Sequence, residues 1–239
     1  MHNKNGQDKA FYFKQFQINH DRCAMKVGTD GVLLGAWCPM HDANTILDIG
    51  TGSGLIALML AQRTDESVII DAVESDHESY VQCCDNFELS PWRNRLRVFH
   101  TRIQDFRPDN KYDLIVCNPP YFTTGQQSPN LRRGAARHSI GLTPQDLIIS
   151  MKSLLNPSGK LALILPYVEG TSFIAEMAKH SFFCKTIVQV KVRKNLPTER
   201  VLLTFGRESM LRQRDTLILF ESDGIRSHAY HALVNSFYL

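Results

Sequence analysis

From residue 45 onward, apolar runs of strand length alternate with stretches of helical period. The runs at 45–49, 68–73, 96–100, 113–117 and 160–165 are rich in Ile, Val and Leu, as strands buried on both faces of a parallel sheet are. Residues 55–62, 76–88, 143–155 and 169–180 repeat their apolar positions at helical spacing and predict helices. Thr143, Pro144 and Asp146 open the third of these with a capping box and a proline at the first helical position. Repeated β-α units of this length predict a doubly wound α/β fold, a parallel sheet with helices on both faces, because right-handed crossovers place them there.

Two more strand-like runs, 186–192 and 200–206, are joined by seven residues containing Asn195 and Pro197 and predict a hairpin at the sheet edge. Ahead of the core, 11–27 alternates and predicts a small strand pair before a short helix at 30–37. At the far end, 217–220 and 230–237 predict one more strand and helix. No Gly-, Ser- or Pro-rich linker divides the chain, so one domain is expected over 1–239, with 1–40 as an N-terminal extension and 41–239 as the core. The longest aperiodic stretch, 123–141, is a candidate functional loop.

The first core strand runs into Asp48-Ile49-Gly50-Thr51-Gly52-Ser53-Gly54 and then a helix. Gly50, Gly52 and Gly54 permit a tight turn and let a ligand approach bare backbone, which suits a nucleotide-like cofactor. The spacing is G-x-G-x-G, with Leu55 where the dinucleotide fingerprint wants glycine or alanine, and this argues against NAD. Asp48 beside the loop would repel a pyrophosphate but can hold an ammonium group, directly or through water. Glu74, ending the next strand, can take both hydroxyls of a ribose. Together the two acids fit adenosine joined to methionine. Asp105 follows the third strand, where its carboxylate can accept from an adenine amino group with Phe106 packed on the ring.

Asn118-Pro119-Pro120-Tyr121 follows the fourth strand directly. Its prolines fix the backbone and remove two N–H donors, leaving the Asn118 amide oxygen and the Pro119 carbonyl as acceptors. Both hydrogens of an exocyclic amine can be held there. That would turn the nitrogen lone pair toward a sulfonium methyl and preorganise the transition state. Tyr121 would stack on the base, and no strong general base is needed.

At these motifs the chain resembles the Rossmann-like S-adenosylmethionine-dependent methyltransferases of the amino-methylating class bearing N/D-P-P-Y/F/W. Phe13-Lys14-Gln15-Phe16, the run from Cys23 to Trp37 (CAMKVGTDGVLLGAW) and the closing Asn235-Ser236-Phe237-Tyr238-Leu239 resemble the bacterial valine-tRNA adenine-37 N6-methyltransferases. The resemblance implies a mostly parallel seven-stranded sheet with an antiparallel terminal strand. It also implies S-adenosyl-L-methionine as cofactor and an anticodon-loop adenine of valine tRNA as substrate. The segment before the glycine loop would line the cofactor's methionine end, making Lys26, Thr29 and Asp30 candidate contacts; Asn118 would also touch the cofactor. Related families with the same tetrapeptide methylate guanine N2 of ribosomal RNA or a protein glutamine amide, and a non-catalytic RNA-binding protein is a further alternative.

Composition adds exclusions. With 43% hydrophobic and 21% charged residues in 239, the chain can bury a full core, which excludes global disorder and collagen-like or repeat architectures. The polar first ten residues predict no signal peptide, and no apolar run reaches the roughly 18 residues of a spanning helix, so a soluble cytoplasmic protein is expected. Six scattered cysteines and nine histidines show no metal spacing, so reduced thiols and no metal are expected. A monomer is expected.

The formal charge of +3 conceals an asymmetry. Residues 130–215 hold 14 basic and six acidic side chains, a net +8, while the remainder holds 13 and 18, a net −5. The excess includes Arg132, Arg133 and Arg137 in the long loop and Lys191, Arg193, Lys194 and Arg200 around the hairpin. Such asymmetry suits a polyanion over the site, so these seven are the candidate RNA contacts.

Overall fold

A computed structural model describes residues 9–40, 42–119 and 142–239. In chain order the elements are β1 (Ala10–Tyr12), β2 (Gln17–Asn19), α1 (Thr29–Trp37), β3 (Thr45–Ile49), α2 (Leu55–Arg63), β4 (Ile69–Glu74), α3 (His77–Glu88), β5 (Leu96–His100) and β6 (Tyr112–Cys117). They continue with α4 (Pro144–Leu154), β7 (Leu155–Pro166), α5 (Tyr167–Lys179), β8 (Phe183–Lys191), β9 (Arg200–Gly206), β10 (Gln213–Ile218) and α6 (His228–Val234).

The central sheet has the order β10-β8-β9-β7-β6-β3-β4-β5. Every pairing is parallel except those of β9, which runs antiparallel to both β7 and β8. The doubly wound α/β reading therefore stands, with two corrections: the sheet has eight strands rather than seven, and the antiparallel strand is internal rather than terminal. Its composition explains this, because Val201 to Gly206 is buried residue after residue, as only a strand covered on both faces can be. β10 takes the edge instead. Its Gln213-Arg214-Asp215-Thr216 start is exposed and pairs through backbone alone, so apolar patterning had shown only its last residues.

One face of the sheet is covered by α1, α2, α3 and α6 through side chains such as Leu34, Leu58, Phe87 and Val234. The other is covered by α4 and α5 through Leu147, Met151, Phe173 and Met177. The Thr143 capping box closes as expected: its hydroxyl accepts the Asp146 amide at 3.1 Å and Asp146 accepts the Thr143 amide at 3.0 Å. Among the described residues no helix is long and apolar enough to cross a membrane.

The short β1–β2 hairpin docks on α3 rather than on the sheet. Asn86 of α3 accepts the Asn19 amide at 3.0 Å and donates to the Asn19 carbonyl at 2.8 Å, and Gln82 accepts the Arg22 amide at 3.1 Å. Asn86 also donates to the Ser53 carbonyl, so the hairpin is held beside the loop at the carboxyl end of β3, where open α/β sheets bind ligands.

Candidate active site

Register brings the two sequence motifs together. Ile49 of β3 pairs with Val73 of β4 on one side and with Cys117 of β6 on the other. The next residues on each strand, Gly50, Glu74 and Asn118, therefore emerge side by side at one sheet edge. Gly50 and Thr51 both donate their amides to the Val73 carbonyl, which folds the loop back over β4.

The three glycines have left-handed backbones, with φ of 68° at Gly50, 57° at Gly52 and 85° at Gly54, where side chains are strained. Their surroundings differ. A Cβ on Gly50 or Gly52 would project into open space, whereas on Gly54 it would lie 2.7 Å from Phe87 Cε1 and 3.0 Å from Cys83 Sγ. Gly50 and Gly52 thus present bare backbone to the open side. Gly54 lets α2 pack on α3.

Glu74 holds the loop. Its Oε2 accepts the Gly52 amide at 2.9 Å, and its Oε1 accepts the amides of Ser75 and Asp76, each at 2.8 Å. A carboxylate has about four acceptor positions, so this buried side chain retains capacity for a ligand hydroxyl.

Asp48 is fully buried beneath the loop. Burial pushes its carboxyl up to about 7, opposed by the Thr51 hydroxyl and the Ala57 amide in the first turn of α2, and Glu74 adds to the rise. Thr51 Oγ1 donates to Oδ2 at 2.6 Å, while Oδ1 has no hydrogen-bond partner among the described residues. A buried acceptor without a partner is costly and marks a site for a donor.

Asn118 is half-buried and Pro119 buried. No side-chain hydrogen bond joins the Asn118 amide to another described residue. Gly31 in the first turn of α1 is its close neighbour, since a Cβ there would lie 3.9 Å from Asn118 Nδ2 and 3.0 Å from Leu55 Cδ2. The lack of a side chain at Gly31 lets α1 pack closely on Leu55 of α2, next to the motif.

Other expected contacts are placed differently. Lys26 donates its ammonium to the carbonyls of His20 at 2.7 Å and Asp21 at 3.3 Å, which ties the N-terminal segment together. The Phe106 ring is 6% exposed and packs against Phe99 at 5.1 Å. Asp105 beside it is exposed. Thr29 begins α1, and Asp30 receives Arg200 Nε at 2.9 Å across to β9. Lys191 ends β8 half-buried, with Arg193 and Lys194 exposed beyond it. Tyr121, Arg132, Arg133 and Arg137 lie outside the described residues.

Two contributors escaped sequence reasoning. Thr51 lay within the glycine motif, but its bond to Asp48 is visible only in the folded loop. Asn86 is 1% exposed, and besides docking the N-terminal segment it donates to the Ser53 carbonyl at 2.7 Å. A mid-helix asparagine carries no signal of that kind, because all its partners are distant in sequence.

Comparison with known proteins agrees with this geometry. Residues 26–188 match the Methyltransferase small domain family. A tRNA1(Val) (adenine(37)-N6)-methyltransferase of Photorhabdus laumondii is 45% identical over 232 residues, covering 96% of this chain and 95% of its own. One of the same description from Tolumonas auensis is 44% identical over 230 residues, covering 96% and 97%. Among solved structures, a predicted O-methyltransferase of Agrobacterium tumefaciens superposes with a TM-score of 0.68 at 20% identity, covering 87% of this chain and 96% of its own. At that identity the likeness shows the fold alone.

Proposed function

The chain belongs to the tRNA1(Val) (adenine(37)-N6)-methyltransferase family, and from that premise we propose how its own residues carry out N6 methylation of adenine 37 in valine tRNA. The relatives' shared description sets aside the guanine-N2 and glutamine-amide alternatives, as well as a purely RNA-binding role.

The residues present fit S-adenosyl-L-methionine. Gly50 and Gly52 leave open space above the loop, Glu74 offers acceptors at the end of β4, and the buried Asp48 oxygen lacks a donor. When bound, this cofactor supplies an electrophilic methyl group on a sulfonium. Glu74 would take a ribose hydroxyl with its remaining acceptor position, and Asp48 would answer the ammonium end directly or through water. Asp105 remains a candidate for the adenine amino group and Thr29 for the methionine end.

The observation that carries the reading is the pairing of Ile49 with Cys117, which sets Asn118 beside Gly50. Methyl donor and acceptor sites then share one edge, and alignment alone supplies a large part of such a rate. The Asn118 amide oxygen and the Pro119 carbonyl accept the two N6 hydrogens of adenine and aim the nitrogen lone pair at the methyl group. Tyr121 stacks on the ring. With the cofactor bound, the N–C bond would form as the S–C bond breaks, and the nitrogen would then shed one proton to water or a nearby acceptor. A loop base is already accessible, so no duplex must be opened. Lys191, Arg193 and Lys194, with Arg132, Arg133 and Arg137, neutralise the anticodon-loop phosphates.

The test is transfer of label from tritiated S-adenosylmethionine to tRNA of a strain lacking the gene. N6-methyladenosine in the nuclease digest, mapped to position 37, is the expected result; an unlabelled digest overturns the reading.

A further inference from the structure

A second cavity, of about 280 Å³, opens between α1, the ends of β8 and β9, and α6. Thr29, Asp30 and Leu33 form one wall and Val190 and Val192 another. Leu219, Phe220 and Tyr230 close it with apolar and aromatic surface, and Glu199 and Arg200 are also among its lining. Neither Asn118 nor any glycine of the loop lines it, so it is not where the reacting amine sits. It is nevertheless adjacent. The first turn of α1 separates the two spaces, with Gly31 toward Asn118 and Asp30 and Leu33 toward the cavity.

Its chemistry is that of a nucleobase receptor. The Phe220 ring is half-buried and meets Tyr230 edge-on at 6.0 Å and 72°. The volume falls below the roughly 300–1,000 Å³ of drug-sized pockets, which suits one planar ring system. Aromatic faces beside apolar side chains stack bases without regard to sequence. Carboxylates at the mouth accept from exocyclic amines, as acidic side chains do from cytosine N4, and they disfavour a bare phosphate. The Asp30–Arg200 ion pair at 2.9 Å holds a planar guanidinium in the same lining. Exposed Arg193 and Lys194 follow Val192 and can meet the backbone of the strand that delivers such a base.

We propose that this cavity receives the nucleobase next to the methylated adenine, stacked on Phe220 and, when it carries an exocyclic amine, donating to Glu199. The assignment rests on the tRNA-methylation reading above. It gives the enzyme a second grip on a splayed anticodon loop and a means of placing the target base on Asn118.

The experiment compares wild type, Phe220→Ala, Phe220→Leu and Glu199→Ala on synthetic anticodon stem-loops. One RNA is intact, one is abasic at the nucleotide 5′ to the target, and one is abasic at the nucleotide 3′ to it. On the intact RNA, Phe220→Ala should raise KM for RNA about tenfold, in line with the loss of one stacked base, while kcat stays within about twofold. Phe220→Leu, which keeps the apolar bulk, should show most of the same loss, and S-adenosylhomocysteine affinity should not move in either variant. On one of the two abasic RNAs the wild type should already show the raised KM, and the Phe220 substitutions should add nothing. Glu199→Ala should raise KM less, and only where the flanking base bears an amine. Penalties that multiply independently on both abasic RNAs overturn the cavity assignment while leaving the methylation reading intact. A wild-type enzyme that methylates none of the stem-loops, nor full-length tRNA, overturns the methylation reading itself.

Discussion

The Glu74 carboxylate accepts the Gly52 amide at 2.9 Å, so the acid at the end of β4 and the loop at the end of β3 form one unit. The same side chain also satisfies Ser75 and Asp76. Glu74→Ala therefore does two things at once. Leaving amides without partners should cost about 1–3 kcal/mol of stability, and S-adenosylhomocysteine affinity should fall at least about tenfold. Glu74→Gln, which keeps one acceptor oxygen, should be intermediate in both. Urea denaturation and calorimetry on the three proteins check this, and unchanged affinity in Glu74→Ala contradicts the ribose role.

The raised Asp48 carboxyl gives a signed pH dependence. Its ordinary value is 3.8 and its folded value about 7, so between them the native state holds a proton that the unfolded chain has lost. Stability of the cofactor-free protein should therefore fall as pH rises through that window and level off above it. Asp48→Asn should flatten the slope. A cationic ligand end favours the ionised carboxylate, so cofactor affinity should rise with pH toward about 7, with proton release on binding. Calorimetry in two buffers of different ionisation enthalpy reads the release directly; none at pH 6 contradicts the assignment.

Gly52 and Gly54 should respond in opposite ways to alanine. Gly54→Ala drives a methyl group onto Phe87 and Cys83 and should cost about 1–3 kcal/mol from overpacking, besides the left-handed backbone penalty. Gly52→Ala meets only open space, so its stability loss should be smaller, about 1–2 kcal/mol, and its loss of cofactor affinity larger. Equal effects on both quantities in both variants contradict the division of roles.

Charge at the end of β8 should appear in salt dependence. Arg193→Ala and Lys194→Ala should each weaken tRNA binding and reduce the slope of log K against log salt by roughly 0.7–1, with cofactor affinity unchanged. Filter binding between 50 and 200 mM salt measures it. A slope identical to wild type in both variants removes these residues from the RNA interface.

The parallel core was legible because strands such as Thr45–Ile49 and Tyr112–Cys117 are covered on both faces and are therefore predominantly apolar, Asp48 and Asp113 being the charged exceptions. The glycine loop and the Asn-Pro-Pro-Tyr motif were legible because each joins backbone restriction to a chemical group within a few residues. Position within the sheet was not. Whether Phe183–Lys191, and with it the β8–β9 pair, lies inside or at the edge depends on what β10 does, and β10 begins in four polar residues that apolar patterning passes over. Side-chain commitments were equally hidden. Lys26 and Phe106 match a cofactor-binding pattern by type, and only the fold reveals that one donates to the carbonyls of His20 and Asp21 and the other packs on Phe99. Asn86 shows the converse, a side chain of no evident pattern that joins the N-terminal segment, α3 and the glycine loop.

The central claim is that Asn118, held beside Gly50 by the pairing of β3 with β6, orients the adenine amine for methyl transfer. Single-turnover methylation of unmodified valine tRNA by wild type and Asn118→Ala, with S-adenosylmethionine saturating and position 37 read by nucleoside mass spectrometry, tests it most directly. The account predicts N6-methyladenosine from the wild type and a rate lower by about 10²-fold or more in the variant, as when a preorganised hydrogen-bonding group is removed, with S-adenosylhomocysteine affinity and RNA binding within a fewfold of wild type. An Asn118→Ala enzyme that methylates adenine 37 at the wild-type rate contradicts it.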